Sequence, residues 1–380
     1  MDSVAKDADD HYQIAVLPHV SRTFALTIPQ LPAALRGAVT NAYLLCRIAD
    51  TIEDEPALSP AQTLEYLQAF QDLVVGEGDA APLVRELEAR LSERTLPAER
   101  ELVANMQRVI RVKARLGAAQ RAAIERCVGL MCQGMPRYQS NTSLEGLPRM
   151  ADTDDYCYYV AGVVGEMLTD LFCDHDPAIA ARRAQLGALA ASFAQGLQMT
   201  NILKDQWEDR ARGACWLPQD VFARHGVALG ELRAVPHDPR FAAGLRELVG
   251  VTHTHLRNAL DYTLLIPATQ PGIRRFCLWA VGLAVLTLQK INENPRFTAG
   301  VQVKVPRSAV RMTRIMVELC VRHDGLLRRL FARAARGLPL EPVGDLKRPH
   351  GPSMPSRADL PAPPLAAGLE PRRSLGGSGG

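Results

Sequence analysis

Apolar residues recur at spacings of three and four along most of the chain, and alternating β-branched runs are scarce. That period belongs to helices with one buried face. It predicts helices over 33–53, 61–75, 80–94, 97–116 and 118–138. Others are expected over 152–173, 178–210, 238–265, 271–293 and 306–336. Breakers agree with these limits. Leu31-Pro32 closes a lead-in turn, Pro56 and Ser59-Pro60 separate two helices, and Asp176-Pro177 stops a third. Loops are short except at 139–151, 211–237 and 294–305, and no linker interrupts 10–338. One all-α domain over residues 1–338 is the expected architecture. Residues 339–380 lose the periodic face and turn rich in proline, glycine and small residues, so a disordered tail is expected there.

Composition narrows the class. A chain of 380 residues, 47% hydrophobic, can bury one large core or at most two. A net charge of +3, spread along the chain, gives no nucleic-acid footprint. Eight cysteines without a CxxC pair read as small apolar core residues in a reducing compartment. The polar, acidic start MDSVAKDADDHYQ is not a signal peptide, and the apolar run Phe276 to Leu288 is too short to span a bilayer. A cytoplasmic protein is expected, touching a membrane surface peripherally where a greasy substrate draws it there. His253 and His255, two apart, read as surface residues.

The chemistry lies in two matched acidic motifs. Asp50-Thr51-Ile52-Glu53-Asp54 and Asp205-Gln206-Trp207-Glu208-Asp209 each place two aspartates four apart, with a glutamate before the second. On a helix such a pair shares a face. Two facing helices would converge four carboxylates, which repel unless cations sit between them. Oxygen ligands with open positions suit Mg²⁺, completed by water and substrate phosphates. One such motif alone reads more simply as a solvated helix face.

Three further segments bear on that reading. Gln198, Asn201, Asp205 and Asp209 form one polar stripe, with Lys204 beside Asp205 placed to meet a phosphate or cofactor. Arg47 precedes Asp50 by three residues, and Ser21-Arg22-Thr23-Phe24-Ala25 adds a second arginine with hydroxyls; both suit a diphosphate, although a local salt bridge and a helix cap account for them equally. Tyr156 heads an apolar stripe with Val160, Val164 and Leu168, and Gly162 and Gly165 permit close approach of a backbone or ligand. Lys304 and Arg307, in a loop before a helix, could bind phosphate or simply face water.

Together, in this order over roughly 15–335, these segments resemble the squalene/phytoene synthase family. The resemblance implies the all-α isoprenoid synthase bundle with a central cavity. It implies a prenyl diphosphate substrate, Mg²⁺ and NADPH as cofactors, and a monomer. Asp50, Asp54, Asp205 and Asp209 would hold the metal, supported by Glu53 and Glu208. Ser21, Arg22, Arg47, Gln198 and Asn201 would bind diphosphate; Phe24, Val160, Val164 and Leu168 would line the hydrocarbon slot. Tyr156 would aid proton removal near the carbocation. Lys204, Lys304 and Arg307 would bind NADPH.

Three reactions compete within the family. Squalene synthases couple two farnesyl diphosphates and reduce the product; dehydrosqualene synthases omit the reduction; phytoene synthases use geranylgeranyl diphosphate. DTIED and YCYYVAGVVG are similar to squalene synthases. The loop KVPR departs from the animal and fungal NADPH pattern, and Leu217-Pro218-Gln219-Asp220 resembles bacterial phytoene synthases. The C-terminal anchoring helix of eukaryotic relatives is not found. A soluble, bacterial-type squalene synthase reconciles these points. A non-catalytic assembly protein of the same fold, a chain-elongating prenyltransferase and a terpene cyclase are the other readings.

Overall fold

Local chemistry sets the helix limits in this computed structural model. It describes residues 2–21, 23–76, 78–139, 143–232 and 238–343; Arg22 and the expected tail from 344 onward lie outside the described residues. The chain opens with α1 (Asp2–Val20), α2 (Phe24–Thr27), α3 (Ala33–Glu53) and α4 (Pro60–Val75). Then come α5 (Ala80–Glu88), α6 (Pro97–Ala104), α7 (Met106–Arg115), α8 (Ala118–Gly134) and α9 (Pro136–Gln139). The centre holds α10 (Met150–Cys157), a π turn (Tyr158–Gly162), α11 (Val163–His175), α12 (Pro177–Ala180) and α13 (Arg183–Ala211). After α14 (Gln219–Arg224) come α15 (Pro239–Leu265), α16 (Pro271–Glu293), α17 (Arg307–Cys320) and α18 (Asp324–Ala334). The described residues contain no strand, only a bridge between Leu147 and Pro218.

The capping at α4 shows how sequence becomes boundary. Ser59 Oγ accepts from the Gln62 N–H at 3.3 Å, and Gln62 Oε1 accepts from the Ser59 N–H at 2.9 Å. Pro60 takes the first helical position, where its missing N–H costs nothing. Gly76 ends the helix at φ 102°, a left-handed conformation open to glycine. α11 ends at His175, at the stop that Asp176-Pro177 predicts, and Asp176 also caps α12 by accepting from the Ala178 N–H at 2.7 Å.

Other expected helices are broken. The segment 97–116 divides at Asn105, whose side-chain amide donates to the Glu101 carbonyl at 2.9 Å. Such local bonding competes with the helix. The segment 306–336 divides at Val321–His323 for a tertiary reason. Arg274, 2% exposed, donates to the carbonyls of Ile266 at 2.8 Å and Val321 at 3.0 Å, and to Asp324 at 2.7 Å. One guanidinium thus satisfies chain ends of α15 and α17 and holds the start of α18.

The N-terminal helix was not expected from the sequence. Its polar surface hides a buried face of Tyr12, Val16, Leu17 and Val20. Asp9 is also buried, bonded to Arg108 at 3.1 Å and Arg111 at 2.8 Å from α7. His253 and His255 correct the surface reading. Both are buried, His253 Nδ1 meeting the Pro339 carbonyl and His255 Nδ1 meeting Ser192 Oγ. Burial pushes the His255 imidazole down to about 4, so it stays neutral. Seven of the eight cysteines are buried, as expected of small apolar residues. The helix containing Phe276 runs from Pro271 to Glu293, which by length and composition alone could cross a membrane, yet 56% of its apolar window is buried against neighbouring helices.

The centre of the fold is α13, which packs on α11, α15 and α16. Gly165 makes the α11 contact close, because a Cβ there would lie 2.2 Å from the Ala190 carbonyl oxygen. α3 also packs on α11, but α3 and α13 make at most marginal contact with each other. α3 and α13 are thus held unpacked against each other, and we call the space between their acidic ends the cleft.

Replacing Arg274 with Met is expected to orphan several buried carbonyls and cost about 2–4 kcal/mol. Hydrogen exchange should accelerate first across 307–334; uniform acceleration across the whole chain would show that Arg274 does not act locally.

Candidate active site

Each acidic motif sits at the C-terminal end of its helix, where the last carbonyls add negative character. Asp54 caps α3, its N–H bonding to the Asp50 carbonyl at 2.8 Å. Nothing about a helix C-terminus welcomes carboxylates, so other forces hold them there.

Arginines supply part of that force. Arg47 lies 4.0 Å from Asp50 and bonds to Glu99, which belongs to α6. Arg212 bonds to Asp209 and lies within electrostatic reach of Asp54 and Asp205. Asp54 in turn raises the Asp209 carboxyl, after burial, which is the larger cause. The two motifs are therefore within electrostatic reach of each other.

The carboxyls are short of counter-charge. Burial first, then Asp54 and Glu99, push Asp50 up to about 7 against the pull of Arg47. Asp50 still keeps 29% of its side-chain surface open, so it is recessed in the cleft rather than sealed. Desolvation raises Glu53, which is buried, well above the ordinary range; crowding by neighbouring atoms also raises Asp54, although its side chain remains exposed, and the two share a hydrogen bond. Glu53 is buried and steadies Asp54. Glu208 is exposed and accepts from the Gly300 N–H at 2.7 Å, which commits it to the loop before α17.

The donor set suits magnesium. Its members are hard oxygens, and burial together with neighbouring carboxylates raises Asp50, Asp54 and Asp209, the condition a divalent cation relieves. No three acidic, histidine or cysteine side chains among the described residues form a ready cage. An ion here would draw one or two carboxylates from each motif and fill its shell with water and phosphate oxygens.

Tyr156 lies beneath this cluster. It is buried, and desolvation, then Glu53 and Asp54, hold its phenol well above the usual range, so it stays neutral. Its ring stacks on Trp216 with centroids 4.2 Å apart and planes 3° apart, and Tyr138 meets it edge-on at 5.5 Å. Val160 and Val164 are half-buried and Leu168 is buried, on the same segment. In a regular α-helix each step of four advances about 40° beyond a full turn, so such a stripe drifts. The wider π turn at Tyr158–Gly162 offsets that drift and keeps Tyr156 nearer the line of Val164 and Leu168.

The remaining candidates divide. Gln198 is half-buried and Asn201 exposed, so the polar stripe of α13 opens toward solvent before reaching buried Asp209. Ser21 Oγ accepts from the Phe24 N–H at 3.0 Å, a capping role. Phe24 packs with tilted rings against Tyr43 at 4.9 Å and Phe276 at 6.3 Å, joining α2, α3 and α16 in one aromatic wall. Lys204 pairs with its neighbour Asp205 at 3.1 Å. The turn Gly300–Val303 packs on α13, so the loop bearing exposed Lys304 lies against the helix of Lys204; Arg307 is exposed at the start of α17.

Sequence reasoning missed Glu99, Arg212, Trp216 and Tyr138. Arg212 stands three residues past Asp209, a spacing that puts it on the same helix face and could have flagged it. The other three are brought in by tertiary packing and carried no local signal.

Known proteins resemble this chain in sequence and in fold. A sequence model of squalene/phytoene synthases matches residues 17–309. The squalene synthase of Candida albicans is 29% identical over 294 residues, covering 74% of this chain and 61% of its own length. This chain thus spans less than two thirds of that curated relative. Among solved structures, TcSQS bound to the ligand E5700 superposes with a TM-score of 0.68 at 24% identity, covering 87% of this chain and 98% of that one. A ligand-bound dehydrosqualene synthase gives 0.56 at 22% identity, covering 83% and 96%. These likenesses establish a shared fold.

The raised Asp50 pKa carries a sign. Its protonated form is favoured in the fold, so its contribution is full below the ordinary carboxylate range and is lost as pH rises through about 7. In metal-free protein, the stability of Asp50→Asn, read by thermal melting, should gain on that of the wild type as pH rises from about 4 to about 7, by on the order of 1–2 kcal/mol after allowing for solvent at this partly exposed group. Added Mg²⁺ should stabilise the wild type and not the variant. A pH-independent difference would sink the assignment.

Proposed function

This chain belongs to the squalene/phytoene synthase family, and from that premise we propose that it joins two farnesyl diphosphates head to head and reduces the product to squalene with NADPH. The observation that carries the reading is the approach of the two acidic helix ends, Asp54 and Asp209 within electrostatic reach of each other, with neutral Tyr156 buried within reach of both.

The chain's own residues divide the work. Arg47 and Arg212 present guanidiniums beside the carboxylates, suited to bidentate contact with diphosphate oxygens. Mg²⁺ held by Asp50, Asp54, Asp205 and Asp209 would neutralise the charge of the departing diphosphate. The allylic cation left behind needs a dry, electron-rich wall. Val160, Val164 and Leu168 exclude water, and the faces of Phe24, Tyr43 and Phe276 offer π density. In the first half-reaction a new carbon–carbon bond forms, one diphosphate leaves, and one proton is lost as the cyclopropane closes. Tyr156, held as a phenol, presents a neutral oxygen near that proton; the carboxylates above it can receive it. Trp216 and Tyr138 fix the ring. Lys204 and Lys304, on elements that touch, would hold the NADPH phosphates, with Arg307 beyond them.

One observation favours the dehydrosqualene alternative, in which reduction is omitted. The Lys204 ammonium is engaged by Asp205 at 3.1 Å, which weakens its offer to a dinucleotide.

Products from farnesyl diphosphate and Mg²⁺, analysed by gas chromatography and mass spectrometry, separate these outcomes. Squalene formed only with NADPH is the expected result; dehydrosqualene regardless of NADPH would replace it with the alternative. Asp54→Asn and Asp205→Asn are each expected to lower turnover at least about a thousandfold with helical circular dichroism unchanged. Tyr156→Phe should slow formation of the cyclopropyl intermediate by roughly ten- to a hundredfold; an unchanged rate would remove Tyr156 from proton transfer.

A further inference from the structure

Away from the cleft, the C-terminal helices carry an unpartnered surface. α17 buries a single residue, Val317. On its outer side Ile315 and Leu319 are 46% and 66% exposed, and Met312, 55% exposed, stands where that side meets the rim of the groove between α16, α17 and α18. Spacings of three and four put them in one stripe along the helix. Beside that stripe run Arg307 and Arg311, and Arg322 follows just past the helix end; all three are exposed and none forms an ion pair among the described residues. The one acid on α17, Glu318, is taken by Arg275 from α16 at 2.6 Å.

The charge balance here is lopsided. Residues 301–343 hold nine lysines and arginines against three acids. Two of those acids, Glu318 and Asp324, already meet arginines of α16. Behind the stripe a groove of about 700 Å³ opens between α16, α17 and α18, floored by Val281, Val285, Met316 and Phe331, with Arg333 and Arg336 among its lining residues.

We propose that the outward face of α17 docks lengthwise on an anionic lipid membrane, with Met312, Ile315 and Leu319 entering the headgroup–acyl boundary and Arg311 and Arg322 meeting lipid phosphates. An apolar stripe fringed by unpaired arginines is the pattern of an interfacial helix. Arginine stems lie along apolar surface while their guanidiniums reach outward to phosphate. The cation excess selects against neutral lipid, because juxtamembrane basic residues gain from the negative surface potential. A helix of 14 residues gives about 21 Å of contact parallel to the surface. This surface is independent of the carboxylate cleft, so its test does not depend on which hydrocarbon the protein makes.

The experiment is flotation of the full chain with phosphatidylcholine vesicles, and with vesicles containing about one third phosphatidylglycerol. The protein should float with the anionic vesicles at low salt and be released at high salt. Ile315→Ser with Leu319→Ser should reduce binding at least about tenfold. Arg311→Gln with Arg322→Gln should remove the preference for phosphatidylglycerol. Both double variants should melt like the wild type and keep its turnover on dispersed substrate, since they alter only exposed side chains. Hydrogen exchange with vesicles present should slow across 307–320. Wild-type protein that stays at the bottom with anionic vesicles overturns the proposal, as does flotation that survives both variants. A dimer seen by light scattering and abolished by Ile315→Ser with Leu319→Ser, without flotation, assigns the stripe to self-association and overturns it too.

Discussion

Repulsion among carboxylates in a recessed cleft is the constraint on which the rest of this structure depends. Asp50, Asp54 and Asp209 are each pushed toward the protonated form, chiefly by desolvation and then by neighbouring carboxylates: Asp54 and Glu99 on Asp50, Glu99 on Asp54, and Asp205 and Asp54 on Asp209. A fold that holds such groups together must fix their backbones from outside. α3 and α13 do so by leaning on a common partner, α11, rather than on each other. The close seat of α11 on α13 at Gly165 then becomes part of the acidic site, although it lies in the apolar layer. The arginines complete the frame without neutralising it. Arg47 is shared with Glu99, and Arg212 is shared among Asp209, Asp54 and Asp205.

Much of this was legible in the chain. The helical period located the principal elements, and Ser59-Pro60 and Asp176-Pro177 marked limits that the structure keeps. The twin aspartate pairs announced the cleft because spacing on a helix translates directly into direction. What stayed hidden was tertiary in origin. The polar start of α1 gave no sign of a helix, since its buried acid is satisfied by arginines about a hundred residues away. The break between α17 and α18 is held by Arg274 on another helix. His255 reads as a surface residue until Ser192 is placed beside it. Trp216 became relevant only once folding laid its ring on Tyr156.

Charge is segregated along the fold even though the whole chain is nearly neutral. Acids gather at the cleft ends of α3 and α13, while bases accumulate on α17 and α18. The turn Gly300–Val303 joins the two regions, bonded to Glu208 on one side and leading into α17 on the other. A single short segment therefore connects an acidic region of the fold to a basic one.

The π turn at Tyr158–Gly162 has a further consequence for how this chain can change over generations. It holds one residue more than a regular turn, so the segment around it is sensitive to length and not only to composition. Deleting one residue there would restore a regular helix and rotate Tyr156 by about 100° relative to Val164. Substitutions can drift through the outward positions of this segment, whereas insertions and deletions are filtered by the direction in which one phenol points. Descendants of this sequence should therefore vary in loop length elsewhere while keeping the residue count between Tyr156 and Leu168 constant.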